Sequence, residues 1–324
     1  MKKLSILFSV VLLLSWLAGC AERQPVEVHL QGATMGTTYN VKYAPSETID
    51  DKQLHSQIDE TLIRVNALMS TYDPQSELSL LNQHQTSEPF GLSAETHLVI
   101  SEAVRLARLT DGALDVTVGP VVNLWGFGPS KRPEVIPTEA LVLETLAKVG
   151  IDKLELTQDA IIKYEPSLYI DLSTIAKGYG VDAVAQLLEA QGLGSYLVEI
   201  GGEMRVAGSK LSGQEWRIAI EKPVSSERVM QNVIEIGDNA IATSGDYRNY
   251  YEQEGIRYSH LIDPSNGYPI THNLVSVSVI HPSAMTADGL ATALNVMGTD
   301  KAKALAELND IAVFMITKQG DEFV

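Results

Sequence analysis

The chain has 324 residues, 45% of them hydrophobic, and 41 acidic side chains against 24 basic ones give a formal net charge of −17. Such a balance argues against nucleic acid as a partner and against attachment to an anionic membrane through a basic surface. The one cysteine, Cys20, excludes a disulfide within the chain.

The N-terminus reads MKKLSILFSVVLLLSWLAGC: two lysines, an apolar run interrupted by serines, then small residues. This is the pattern of a secretory signal over residues 1–19, and its apolar run is shorter than the roughly 20 residues that a spanning helix needs. LAGC resembles the lipobox of bacterial lipoproteins, which implies that Cys20 becomes the lipid-carrying first residue of the mature protein. A polar tether over 20–30 would then hold a domain at 31–324 close to a membrane, facing the periplasm.

Alternation at Val26, Val28 and Leu30, and again at Tyr39, Val41 and Tyr43, predicts two strands around a GATMGT turn. Helical spacing from Ile49 to Met69 predicts a helix that stops before TYDP, because proline disfavours the helical conformation in the residue before it. A second helix runs from Ser93 to TDG, and a long loop follows over 119–138 around Trp125. Strands are predicted at 160–163, 168–171, 196–200, 203–207, 216–220, 232–236, 257–262, 274–280 and 311–317, and helices near 138–149, 174–191, 286–297 and 300–308. Strands and helices without strict βαβ alternation define an α+β chain. Neither GxGxxG nor a Walker pattern is present.

Tyr72, at the exit of the first long helix, can either stack on a planar ligand or pack in the core. DGALDVTVGP (111–120) places Asp115 and Thr117 among small residues. In DLSTIAKGYGVD (171–182) Ser173 can cap a helix, and Gly178 and Gly180 then weaken its opening turns. Those glycines admit two explanations of equal weight. One is a ligand approaching the backbone, with Lys177 and the positive helix end facing an anion; the other is close packing of the helix. Gly201-Gly202 has the chemistry of a two-residue hairpin turn, and DPSNGYP (263–269) that of another turn. His260, just before it, can act as a base, touch a phosphate, or bond to backbone.

TADGLATALNVMG (286–298) sets Asp288 and Thr292 one helical turn apart on one face. A carboxylate and a hydroxyl so placed suit Mg²⁺ or Ca²⁺. Alternatively, Asp288 serves the N-terminus of its own helix and Thr292 bonds back to the carbonyl of residue 288.

Taken in order, TMGTTY, MSTYDPQSELSLLN, DGALDVTVGPVVNLWGFG, DLSTIAKGYGVD, IGGEMRVAG, ATSGDYRNYY, YSHLIDPSNGYP and TADGLATALNVMG resemble the ApbE family of FAD:protein FMN transferases over nearly all of the mature chain. The resemblance implies a mixed α/β body of two closely packed subdomains with the active site in the cleft between them. It implies Mg²⁺-dependent transfer of FMN from FAD to a threonine hydroxyl of an acceptor protein, with release of AMP, the acceptors being subunits of Nqr- and Rnf-type redox complexes. By the same matching, the side chains of Asp288 and Thr292 and the carbonyl of Ala176 are metal ligands. Met35, Tyr72 (on adenine), Ala113, Leu114, Asp115, Ser173, Lys177 and Tyr179 contact FAD. Glu203 and His260 border the site, and His260 or a nearby carboxylate activates the acceptor hydroxyl. Leu114 and Val116 depart from the family's usual GAFDPTVGP, and Ser173-Thr174 from a common Gly-Gly pair. Two other outcomes share these residues: an FAD pyrophosphatase giving FMN and AMP, and a flavin-binding lipoprotein without catalysis.

Overall fold

Alternating side chains build the first hairpin of the computed structural model, which describes residues 26–128, 135–223, 230–247, 249–320 and 322–324. Strand β1 (Val28–Thr34) pairs antiparallel with β2 (Thr37–Tyr43). Met35 and Gly36 form the turn between them, with φ of 49° and 71°. Two positive φ values in succession give the mirror-image turn whose twist matches that of the flanking strands. The sheet thus takes in Val28 to Leu30, the last residues of the expected 20–30 tether. The expected signal and Cys20 lie outside the described residues. Among those residues, no helix is long and apolar enough to cross a membrane.

Helix α1 (Asp51–Met69) is capped by Asp50 and buries Leu54, Ile58, Leu62, Val65 and Met69 along one stripe. After it come α2 (Glu77–Gln83), β3 (Phe90–Gly91) and α3 (Ala94–Leu109), whose N-cap is the expected Ser93. The stretch read as a loop contains a short helix, α4 (Gly119–Leu124), and is followed by α5 (Glu139–Leu146). Strands β4 (Leu154–Leu156) and β5 (Ala160–Lys163) join β3 in a small antiparallel sheet.

Residues 168–171, expected as a strand, join no sheet among the described residues, although the Asp171 amide donates to the Val116 carbonyl at 2.7 Å. Ile170 is held by Asn82 of α2, which donates to its carbonyl and accepts from its amide, both at 2.8 Å. A side-chain amide here replaces a ladder partner.

The second half supplies α6 (Ala176–Ala190), β6 (Tyr196–Ile200), β7 (Glu203–Ala207), β8 (Arg217–Glu221), β9 (Met230–Glu235), β10 (Ala240–Gly245), β11 (Tyr250–Gln253), β12 (Ile256–Ser259), β13 (Ile262–Asp263), β14 (Tyr268–Pro269), β15 (Leu274–His281), α7 (Ala284–Met297), α8 (Thr299–Leu308), β16 (Ala312–Gln319) and β17 (Glu322–Phe323). One eight-stranded sheet in the order β1-β2-β6-β7-β10-β15-β16-β17 runs through the molecule, every neighbouring pair antiparallel.

Helices cover one face of this sheet. Tyr39, Val41 and Tyr43 of β2 meet Leu54, Ile58 and Leu62 of α1 and Val181, Val184 and Leu188 of α6. Beside them, Val99, Ile100 and Ala103 of α3 pack with Leu290, Ala291 and Leu294 of α7 against Val277 and Val279 of β15. Each of the larger buried side chains stabilises the fold by about 1.5–3 kcal/mol.

On the opposite face the β8–β9 hairpin lays Trp216 and Ile218 on Val206 and Ile241. A separate small core gathers Val121, Trp125, Val142, Val149 and Ile262. The larger body and this smaller one are the two packed parts of a mixed α/β fold, and a cavity opens between them.

Candidate active site

The site begins where the N-termini of α6 and α7 meet. A Cβ on Gly178 would lie 2.3 Å from the Ala284 carbonyl oxygen and 2.8 Å from the Asp288 Cβ, so only glycine lets the two helices touch there. One on Gly180 would lie 3.0 Å from the Met35 Cε. Packing accounts for Gly178, whereas the neighbour of Gly180 is the flexible end of the Met35 side chain.

Each helix caps the other. The Gly178 amide in the first turn of α6 donates to Asp288 Oδ2 of α7 at 3.0 Å. In return Asp182 of α6 accepts from the Ser283 hydroxyl at 2.7 Å and from the Ala284 and Met285 amides at 3.0 Å, and Arg205 donates to it at 3.0 Å. These bonds satisfy N-terminal amides that would otherwise lack partners, and they place carboxylates at positive helix ends. Ser173 does not cap α6. The cap position falls to Ile175, which makes no side-chain bond, and the Ser173 amide donates to Asp171 at 2.9 Å. Asp288 serves not its own helix but a neighbour's.

Asp288, only 5% exposed, shares its surroundings with Lys177 and with Glu203, which follows the Gly201-Gly202 turn. Lys177 Nζ donates to Glu203 Oε1. Burial pushes the Asp288 carboxyl up to about 7 against the pull of Lys177. Burial also raises Glu203, and Lys177 opposes that shift. Burial works to lower Lys177 itself, but Asp288 and Glu203 outweigh it and hold the ammonium above its ordinary value. Two buried carboxylates with one ammonium between them favour a further cation. Glu203 Oε2, moreover, is buried without a hydrogen-bond partner among the described residues.

Thr292 stands one turn beyond Asp288, and both line the cavity. Among the described hydrogen bonds its hydroxyl makes none to the carbonyl of residue 288. Hard oxygen donors in a negatively charged pocket fit Mg²⁺. The set is not a cluster of acids and histidines: no group of three or more His, Cys, Asp or Glu among the described residues could hold a metal.

The cavity measures about 970 Å³, at the upper end of the size of small-molecule sites. Tyr72, Ala113, Leu114, Asp115, Ser173, Lys177, Glu203, His260, Asp288 and Thr292 all lie on its wall. Tyr72 is 70% exposed on the turn that Ser70 fixes by accepting from the Tyr72 amide at 3.1 Å; core packing is not its role. Burial raises the Asp115 carboxyl, and the Thr117 hydroxyl and amide, at 2.6 and 2.8 Å, work against that shift.

His260 Nδ1 donates to the Asn249 carbonyl at 2.8 Å, which leaves Nε2 as the acceptor of the neutral ring. Burial holds this histidine below its ordinary value; the Asn249 bond opposes that shift and Lys177 adds to it. The Phe127 ring stands edge-on to His260, with centroids 6.3 Å apart.

Three expected residues are not brought to the wall. Met35 packs between the two large cores. Tyr179 lies in the interior with its hydroxyl donating to Glu95 at 2.7 Å. Ala176 opens α6 beside Lys177 but does not line the cavity. Sequence reasoning passed over Thr174, whose buried hydroxyl has no partner among the described residues, and over Phe127 and Thr243, which also line the cavity. Phe127 and Thr243 sat inside quoted motifs, but nothing in their local spacing marked them.

The model of the ApbE family matches residues 35–315. The chain is 56% identical over 308 residues to the FAD:protein FMN transferase of Vibrio cholerae, covering 95% of this chain and 92% of that one. It is 50% identical to that of Haemophilus influenzae, covering 100% and 96%. Among solved structures, the flavin transferase ApbE of Vibrio cholerae superposes with a TM-score of 0.87 at 54% identity, covering 93% and 96% of the two chains. The apo form of the Pseudomonas stutzeri flavinyl transferase ApbE gives 0.86 at 38%, covering 94% and 95%.

Proposed function

The chain belongs to the ApbE family, and from that premise and the cavity chemistry we infer that it is an FAD:protein FMN transferase. The observation that carries this reading is the convergence of Asp288, Lys177, Glu203, Thr292 and His260 on one cavity large enough for a dinucleotide.

In the transfer, a hydroxyl oxygen of the acceptor protein bonds to the phosphorus on the FMN side of the diphosphate. The bond from that phosphorus to the bridging oxygen breaks, and AMP leaves with the bridging oxygen and its electron pair. His260 Nε2 takes the hydroxyl proton, and its Nδ1 bond to Asn249 fixes the ring for that role. Lys177 supplies fixed positive charge beside the diphosphate, and Tyr72 offers a ring for the adenine to stack on. Asp288 and Thr292, which both line the cavity, would hold Mg²⁺, which neutralises diphosphate charge when bound.

Carried over from the family resemblance, the acceptor residue is a threonine of an Nqr- or Rnf-type redox subunit. The lipobox supports residues 1–19 as a removed signal and Cys20 as a lipid anchor, which would hold the enzyme at a membrane facing the periplasm. The test is incubation of the purified protein with FAD, Mg²⁺ and a candidate acceptor domain. A mass gain on the acceptor equal to FMN is expected. Free FMN without labelling would identify a pyrophosphatase, and unchanged FAD a binder.

A further inference from the structure

The cavity has an arm in which no residue is assigned to flavin or metal. Its floor is the sheet face turned away from the helices, where Thr38, Asn40 and Lys42 of β2 and Glu199 of β6 line the cavity at strand period. The floor leads along β6 through Gly201-Gly202 directly to Glu203, so the arm is continuous with the charged centre. Its side is β8, and all five residues of that strand, Arg217 to Glu221, line the cavity.

Side chains of a strand alternate between two faces. A strand that presents five consecutive residues to one space is therefore turned edge-on to it. On its other side β8 pairs with β9. On the side toward the cavity it pairs with no strand among the described residues. An edge of this kind offers a row of amide and carbonyl groups that an extended chain can satisfy. Lys42, Arg217 and Glu199, the last accepting from Asn40 at 2.7 Å and from the Gly202 amide at 2.8 Å, make the arm polar and of mixed charge, which suits a polar peptide and not an acyl chain.

We propose that the acceptor protein's flavin-receiving segment docks as an added strand along the cavity-facing edge of β8, above the polar face of β2 and β6, carrying its hydroxyl residue into the charged centre. This rests on the transferase reading, whose second substrate is a polypeptide. An extended segment spans about 3.3 Å per residue and can deliver a side chain into a cavity that a folded surface would not enter. Recognition through main-chain bonds supplies affinity, and the residues of the arm choose among side chains at alternate positions.

The test incubates the full chain with FAD, Mg²⁺ and a pool of random peptides, each carrying one central threonine. The best-labelled peptide is then remade with a single N-methyl group at each backbone position in turn. Methylation at alternate positions is expected to lower labelling by about 10-fold and at the intervening positions by less than about 2-fold, as loss of ladder hydrogen bonds requires. Hydrogen exchange of β8 amides should slow when that peptide is bound without FAD. Labelling that ignores backbone methylation would overturn strand docking, and so would protection confined to other elements. Labelling of a folded acceptor domain with no peptide labelled would also overturn it, because on this account an extended segment suffices. FAD left intact, or split to FMN and AMP with neither a peptide nor a folded acceptor domain labelled, would instead remove the transferase reading on which the docking stands.

Discussion

At the scale of single residues, Asp288 has two tasks that can be separated. Its Oδ2 caps α6 through the Gly178 amide, and its charge belongs to the proposed metal site. Asp288→Asn keeps an oxygen for the cap and removes the charge. Transfer should fall on the order of 100-fold or more, while the denaturant midpoint moves by less than about 1 kcal/mol equivalent; an Asn variant with unimpaired transfer would refute the ligand assignment. His260 makes a prediction in pH. Burial depresses its proton affinity, so the unprotonated, base-competent ring is present above a value lower than an ordinary histidine's and is lost only as pH falls through that lower value. The acid limb of kcat/KM for transfer should therefore lie below the usual histidine range and vanish in His260→Gln, whose residual rate no longer follows that titration. A limb at or above the ordinary value would assign it to another group.

The crossed capping of α6 and α7 belongs to the scale of elements. Asp182→Asn retains one acceptor oxygen but puts an amide where the Ser283 hydroxyl and the Met285 amide now donate. It should destabilise the protein by roughly 2–4 kcal/mol, read from the denaturant midpoint, and speed hydrogen exchange in the first turn of α7 more than elsewhere. Equal exchange across all helices would mean that the cap is not local.

Much at this scale was readable in the chain. Regular spacing exposed α1, α3 and the β1–β2 hairpin, and Asp288 and Thr292 were legible as one face of a helix. What stayed hidden depends on distant partners. β10 has the sequence Ala-Ile-Ala-Thr-Ser-Gly and shows no apolar alternation, because both of its faces are covered, Ala242 by the helices and Ile241 by the β8–β9 hairpin. Helix α2 is too short for a period to show. Residues 168–171 have strand composition but bond to an asparagine 88 positions away. Gly178 looked as much like a ligand contact as a packing site until α7, 110 positions away at the Asp288 bond, was seen against it.

At the scale of the whole molecule, the cavity depends on how the small lobe is held against the large body. Trp125 of the lobe donates from Nε1 to the Gly267 carbonyl at 2.8 Å and stacks on Tyr258 at 5.5 Å between centroids. Tyr258 stacks on Tyr251, Tyr251 meets Phe127, and Phe127 borders His260. The rings form a continuous chain from the lobe core to the proposed base, whereas Tyr72 and the 113–115 segment reach the cavity without it. Trp125→Phe keeps an aromatic ring and loses the bond to Gly267, so it loosens the chain without emptying the core. Positioning of a base is sensitive to displacements of about 1 Å, which can cost on the order of 100-fold in rate. The expected result is a fall of about 10-fold in kcat for transfer with the KM for FAD nearly unchanged. An equal rise in KM with kcat intact would show instead that the lobe grips the flavin and leaves the base where it is.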